Sequence, residues 1–114
     1  MVFVTVSENR EQLTGLTQLL VRLMPGCTIH QNYDPVRAIR CFAKQKVDVV
    51  FVDGDICSGL LELMMKHEID TSVYYLGGRD LSEIELPSGV CGVITAPVTD
   101  EKIRTLLQHL PKGA

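Results

Sequence analysis

Residues 47–55 read VDVVFVDGD, and this stretch decides the fold class. Its near-continuous apolar run predicts a strand over Val47–Val52 that is covered on both faces, as in a parallel sheet packed by helices on either side. Asp53 directly follows the run, so its carboxylate is expected at the carboxyl edge of the sheet centre. In parallel α/β folds, that edge is where binding and catalytic residues collect.

On both sides of this stretch the chain alternates between strand and helix patterns. Further strands are predicted at Val2–Val6, 27–31, Val73–Leu76 and Val90–Ile94. Helices are predicted after Asn9, after Asp34, over Leu60–Lys66, and from Thr99 or Asp100 to Pro111. Such alternation predicts right-handed strand–helix–strand crossovers and an α/β fold with a parallel sheet.

Two of the helix starts carry clear capping signals. Asn9 with Gln12 three residues later is typical of a capping box, and Asp34 precedes a proline at the first helical position. In the second of these helices, Val36, Ile39 and Phe42 are expected to form the buried face.

The composition describes a single small domain. The 114 residues include 14 acidic and 11 basic side chains, and 46% are hydrophobic, which excludes a disordered chain. The longest apolar run is Val49–Val52, too short to span a bilayer, and the first residues lack the pattern of a signal peptide. A net charge of −3 argues against direct nucleic-acid binding. We expect one soluble domain over 1–114 without a membrane partner, and residues 111–114 are typical of the start of a linker.

The cysteines predict neither a metal site nor a redox pair. Cys27, Cys41, Cys57 and Cys91 contain no C-x-x-C spacing, and the histidines add no zinc-like pattern. We expect structural thiols in a reducing cytoplasm.

Acidic residues are predicted to meet at the carboxyl edge of the sheet. Glu8 follows the first strand and Asp53 the third, and two such carboxylates repel each other or recruit a cation. Weakly bound Mg²⁺ suits these two side chains together with the backbone carbonyl of Asp55. The alternative is that Asp53 and Asp55 only form a turn while Glu8 helps to cap the first helix, and the spacing leaves both interpretations open.

Four segments in order resemble the receiver domain of two-component response regulators. They are VFVTVSEN (2–9), VDVVFVDGD (47–55), VYYLGG (73–78) and GVCGVITAP (89–97), and the resemblance covers essentially the whole chain. Residues 33–53 look most like the receivers that precede LytTR-type DNA-binding domains. The resemblance implies a flavodoxin-like (CheY-like) three-layer α/β/α sandwich with strand order 2-1-3-4-5. It also implies that Asp53 is the phospho-acceptor for a histidine kinase, with Mg²⁺ bound beside it.

The chain departs from the receiver pattern at four positions. One of the two acids that usually come after the first strand is Ser7, while Glu8 keeps the other. The hydroxyl residue at the end of the fourth strand falls on Gly77, the lysine before the fifth-strand proline on Ala96, and the switch aromatic on Val93. The helix between the fourth and fifth strands is predicted to be short or absent.

The resemblance with these departures implies a degenerate, or pseudo-, receiver rather than an enzyme. We expect a signalling domain of a transcriptional regulator, in contact with a histidine kinase or an output domain. A homodimer through the face of the fourth strand and the last helix (the fifth in receivers) is the expected assembly. The alternative is a working phospho-acceptor in a phosphorelay. A flavodoxin or phosphotransferase subunit is a third class, but Ser7-Glu-Asn-Arg is a poor flavin phosphate loop and no cysteine directly succeeds the first strand.

Overall fold

The computed structural model describes residues 1–77, 90–95 and 98–108. Within them, the strands are β1 (Val2–Val6), β2 (Thr28–Asn32), β3 (Val49–Asp53), β4 (Ser72–Gly77) and β5 (Val90–Thr95). The helices are α1 (Arg10–Leu23), α2 (Pro35–Lys44), α3 (Gly54–Lys66) and α4 (Asp100–Gln108). The predicted short or absent helix between β4 and β5, and the predicted end of the last helix and linker, lie outside the described residues.

All five strands are parallel and lie in the order β2-β1-β3-β4-β5. This confirms the predicted α/β fold and its strand order. The register pairs Val6 of β1 with Val52 of β3, and Asp53 with Leu76 of β4. Asp53 therefore ends the central strand, with β1 on one side and β4 on the other.

Two hydrophobic cores cover the two faces of the sheet. On the side of α2 and α3, Val4 and Val6 pack with Val50 and Val52. On the side of α1 and α4, Phe51 is fully buried, and its ring centroid lies 5.9 Å from that of Phe3 and 6.1 Å from that of Tyr74. Because successive strand residues point to opposite faces, Asp53 continues the Phe51 side of β3.

The predicted buried face of α2 is wrong at one position. Val36 is 59% exposed, whereas Ala38 is fully buried and Ile39 and Phe42 are partly buried. At 3.6 residues per turn, Val36 lies about 200° around the helix from Ala38, on the opposite side. A β-branched residue in the first turn therefore misled the sequence analysis.

The predicted start of α3 is also wrong. The helix begins at Gly54, immediately after Asp53, and not near Leu60. Gly54 and Gly59 weaken the helical signal in the sequence, because glycine is a poor helix former. Tertiary packing compensates, since Cys57 and Leu60 are buried in the core and Gly59 lies close to Pro35 of α2. Asp53 thus stands between a strand and a helix with no loop in between.

In the described part of the chain, no helix has both the length and the apolar character that crossing a bilayer requires.

Candidate functional site

Ser7 and Asp53 are in direct contact at the carboxyl edge of β1 and β3. Ser7 Oγ lies 3.0 Å from Asp53 Oδ2, and Ser7 is fully buried. The parallel register explains the contact, because Val6 pairs with Val52 and the next residue of each strand is then a neighbour. The Ser7 N–H donates to the carbonyl of Asn32 at 3.1 Å, which extends the hydrogen bonding between β1 and β2 up to this residue. A serine thus stands beside the aspartate where the receiver pattern has an acid.

The same serine is hydrogen-bonded to the start of α1. Its Oγ accepts the backbone N–H of Asn9 at 3.0 Å and lies 3.1 Å from Gln12 Oε1. Asn9 is the N-cap of α1, and its side chain accepts the Gln12 N–H at 3.1 Å. We call the set of Ser7, Asn9, Gln12 and Asp53 the serine cluster.

The capping box is present only in part. Asn9 caps the helix as predicted, but the Gln12 side chain contacts Ser7, and the Asn9 N–H that a capping box would satisfy is taken by Ser7 Oγ. Glu8 is exposed, and the residue that caps α1 is Asn9. Sequence reasoning missed Gln12 as a neighbour of the site, although its three-residue spacing from Asn9 was a usable signal.

The predicted magnesium site consists of the Glu8 and Asp53 carboxylates and the Asp55 backbone carbonyl, and the structure leaves it a prediction. The described residues contain no group of three acidic, histidine or cysteine side chains placed to hold a metal ion. Glu8 is exposed, Asp53 Oδ2 contacts the Ser7 hydroxyl, and the Asp55 side chain lies outside the part that the structure describes. Ser7 offers a hydroxyl where the receiver pattern has an acid, which weakens the donor set for a hard divalent ion that prefers charged oxygens.

The β4–β5 half of the edge is described as far as Gly77 of β4 and Thr95 of β5. Gly77 ends β4 without a side chain and pairs with Thr95 of β5. Val93 is half-buried and pairs with Tyr75, and Ala96 lies outside the described residues. At Gly92, an added Cβ would meet two carbons of the Tyr74 ring at 3.3 Å, so this ring lies directly over the β5 backbone. Gly77 supplies no hydroxyl at the end of β4.

One described thiol lies near this edge, since the Asn32 side-chain amide at the end of β2 donates to Cys41 Sγ at 3.7 Å. Cys27, Cys41 and Cys57 are free, and burial raises the pKa of the Cys57 thiol. A buried thiol with a raised pKa is a weak nucleophile and metal ligand, as expected of a core residue.

Comparison with known proteins identifies the fold. The chemotaxis response regulator CheY4 of Vibrio cholerae is similar with a TM-score of 0.80 and 16% sequence identity, over 96% of this chain and 98% of that chain. The signal receiver domain of an HD domain-containing protein from Pseudomonas fluorescens Pf-5 is similar with a TM-score of 0.76 and 23% identity, over 94% and 83%. The chain has the fold of a CheY-like receiver domain.

A promoter-bound protein is also similar in fold. RcsB from Salmonella enterica serovar Typhimurium, solved bound to the promoter rprA with the phosphomimetic BeF3−, is similar with a TM-score of 0.74 and 15% identity. That match covers 95% of this chain and 66% of RcsB. No protein-family model matches the chain, and no curated protein matches it by sequence. The likeness is therefore one of receiver fold.

Proposed function

We propose that the chain is a receiver-like signalling domain that acts through protein contacts, with phosphorylation of Asp53 atypical or absent. The observation that carries the proposal is the 3.0 Å contact between Ser7 Oγ and Asp53 Oδ2. In the receiver pattern a second acid stands at this position and helps to bind Mg²⁺. Here a hydroxyl occupies it, so the acceptor aspartate is kept while the donor set for the metal is reduced.

The chemistry of phosphoryl transfer supports this proposal. Transfer depends on positioning and on neutralising the charge that spreads over the phosphoryl oxygens. Gly77 and Ala96 supply neither the hydroxyl nor the ammonium group that receivers place at these positions. Losing one such preorganised donor typically slows a reaction about 10²–10³-fold. Weak binding of Mg²⁺ at this edge, by Asp53 with Glu8 and the Asp55 carbonyl, would offset only part of that loss.

A working phospho-acceptor is the alternative function. It is favoured by the position of Asp53, which ends the central strand and directly precedes α3. In this alternative a histidine kinase of a phosphorelay donates the phosphoryl group to Asp53.

The partners are proposed from the fold. RcsB carries the receiver fold and was solved on a promoter, which supports a role in a transcriptional regulator whose output domain, not this one, binds DNA. We propose a non-enzymatic domain in the cytoplasm, dimeric through the β4–α4 face. Sedimentation equilibrium over a range of protein concentrations tests the dimer, and an Arg104→Glu variant on the exposed side of α4 serves as the interface probe.

Acetyl phosphate distinguishes the two functions. The protein is incubated with acetyl phosphate and millimolar Mg²⁺, and its intact mass is followed over time. We expect no phosphoryl adduct, or one that forms far more slowly than on an ordinary receiver treated in parallel. Rapid formation of an adduct that Asp53→Asn abolishes would overturn the proposal and establish the phospho-acceptor.

A further inference from the structure

We infer that Ser7 is a positioning residue that couples the state of the Asp53 carboxylate to the N-terminus of α1. The inference rests on the proposed function, because it names how the site at Asp53 is read in a chain without the β4 hydroxyl and the β5 aromatic of the receiver pattern. The state of the Asp53 carboxylate would affect the start of α1 through the hydrogen bonds of the serine cluster.

Ser7 has more hydrogen-bond neighbours than its hydroxyl can satisfy in one arrangement. Oγ lies 3.0 Å from Asp53 Oδ2 and 3.1 Å from Gln12 Oε1. A serine hydroxyl carries one hydrogen and two lone pairs, and one lone pair already accepts the Asn9 N–H. The hydroxyl can therefore donate to only one of the two oxygens at a time.

The charge on Asp53 decides which oxygen receives the hydrogen. An ionised carboxylate is the stronger acceptor, since charge-assisted hydrogen bonds are roughly twice as strong as neutral ones. Gln12 then gains a hydrogen bond only by turning its amide so that the NH₂ group faces Oγ. When the Asp53 charge is removed or the carboxylate is occupied, the hydroxyl turns to Gln12 Oε1 and the amide turns back.

Burial makes this choice discrete. Ser7 is fully buried, so its hydroxyl must donate to a protein acceptor, and the described acceptors within reach are Asp53 Oδ2 and Gln12 Oε1. Thr5, two residues earlier on the same strand, is buried as completely, yet its hydroxyl has no hydrogen-bond partner within the described residues. A buried hydroxyl on β1 therefore does not acquire such neighbours by default.

The cluster ends on the first turn of α1. Gln12 donates its backbone N–H to the Asn9 side chain, and Asn9 donates its own to Ser7 Oγ. The amide that turns and the N-cap that fixes the helix start thus belong to one closed ring. A change at Asp53 can reach the cap through the Ser7 hydroxyl.

Side-chain amide resonances in ¹⁵N spectra test the inference. Spectra are compared for the wild type, Asp53→Ala, Ser7→Ala and the double variant. We expect Asp53→Ala to shift the Gln12 side-chain amide and the Asn9 backbone amide, and we expect the Gln12 shift to disappear when Ser7 is alanine. Gln31 is the matched control, because its side-chain amide donates to Thr17 Oγ1 on α1 without touching the cluster.

A Gln12 shift of the same size in the Ser7→Ala background would overturn the inference, as would no shift at all in Asp53→Ala. Asp53→Asn and Ser7→Cys keep the side-chain volumes and replace the alanine variants if those unfold. The two experiments fail independently. Rapid labelling by acetyl phosphate would contradict the proposed pseudo-receiver, whereas the inference about Ser7 is decided by the Gln12 amide shift.

Discussion

The two halves of the carboxyl edge differ in the residues at the ends of their strands. After β1 and β3, a buried serine contacts the aspartate and the cap of α1. After β4, a glycine ends the strand, and on β5 the position of the receiver aromatic is the half-buried Val93. The first half has a connected polar cluster, whereas the second has a glycine and a valine where the receiver pattern has a hydroxyl residue and an aromatic. The proposed acceptor Asp53 therefore lies in the half that has the connected polar cluster.

One residue joins the two halves beneath the edge. Phe51 is fully buried, and its ring packs against Phe3 of β1 and Tyr74 of β4. Phe51→Ala should lower the free energy of unfolding by about 3–5 kcal/mol, because it removes this contact and leaves a cavity. Urea denaturation measures the change, and Phe51→Leu should cost clearly less. Equal losses in the two variants would contradict the cavity account, because leucine fills most of the space that alanine leaves empty.

Introducing the hydroxyl and the lysine of the receiver pattern into the β4–β5 half should speed phosphorylation of Asp53. Gly77→Thr combined with Ala96→Lys supplies the missing hydroxyl and counter-charge, and we expect acetyl phosphate to label Asp53 at least about 10²-fold faster than in the wild type. The rate of adduct formation by mass spectrometry is the readout, and the same pair in an Asp53→Asn background is the control. An unchanged rate would mean that Ser7, and not the β4–β5 half, limits the reaction.

Two buried hydroxyls at β1, those of Thr5 and Ser7, test the half of the edge after β1 and β3, with a smaller expected effect on stability. Ser7→Ala should destabilise the protein by about 1–2 kcal/mol, because Asn9 N–H loses its acceptor. Thr5→Val should change stability by less than about 0.5 kcal/mol or raise it, since the Thr5 hydroxyl has no partner in the described part of the chain. Thermal and urea denaturation of both variants give the comparison. Similar losses of stability in the two variants would show that the serine cluster does not stabilise the protein.

The packing of β5 against β4 predicts the smallest change in stability. Gly92→Ala places a Cβ 3.3 Å from the Tyr74 ring and should cost about 1 kcal/mol. Gly15, in the middle of α1, has nothing within 4 Å of an added Cβ, so Gly15→Ala should stabilise the protein by about 0.5–1 kcal/mol. Urea midpoints of the two variants should therefore move in opposite directions, and a stabilising Gly92→Ala would contradict the close packing of Tyr74.

Local signals in the sequence were sufficient for the sheet and for the position of Asp53. The bounds of β1 and the Asn9 and Asp34 caps are as predicted, because strand periodicity and capping act over a few neighbouring residues. The early start of α3 escaped prediction, since two glycines weaken its local signal and tertiary packing supplies the stability. The exposure of Val36 was not predicted either, because the position of α2 on the sheet, and not the local sequence, decides which face of the helix is buried.

The position of Asp53 at the edge of the sheet was predictable, whereas its neighbours were not. The sequence indicates Asp53 because it ends the most apolar strand, but the expected partner was Glu8, the adjacent acid. The register of β1 against β3 places Ser7 beside Asp53 instead, and Glu8 is exposed. The contact of Gln12 with Ser7 depends on how α1 leaves the sheet, which no local pattern encodes.

Beryllofluoride binding tests the central claim most directly, because this phosphoryl analogue requires a positioned site but no reaction. Amide spectra of the wild type are recorded with millimolar Mg²⁺ before and after its addition. We predict no saturable shifts in Ser72–Gly77 or Val90–Thr95, the strands whose receiver side chains are missing. Saturable shifts along both strands that vanish in Asp53→Asn would contradict the account and show a receiver that still binds and reads a phosphoryl group.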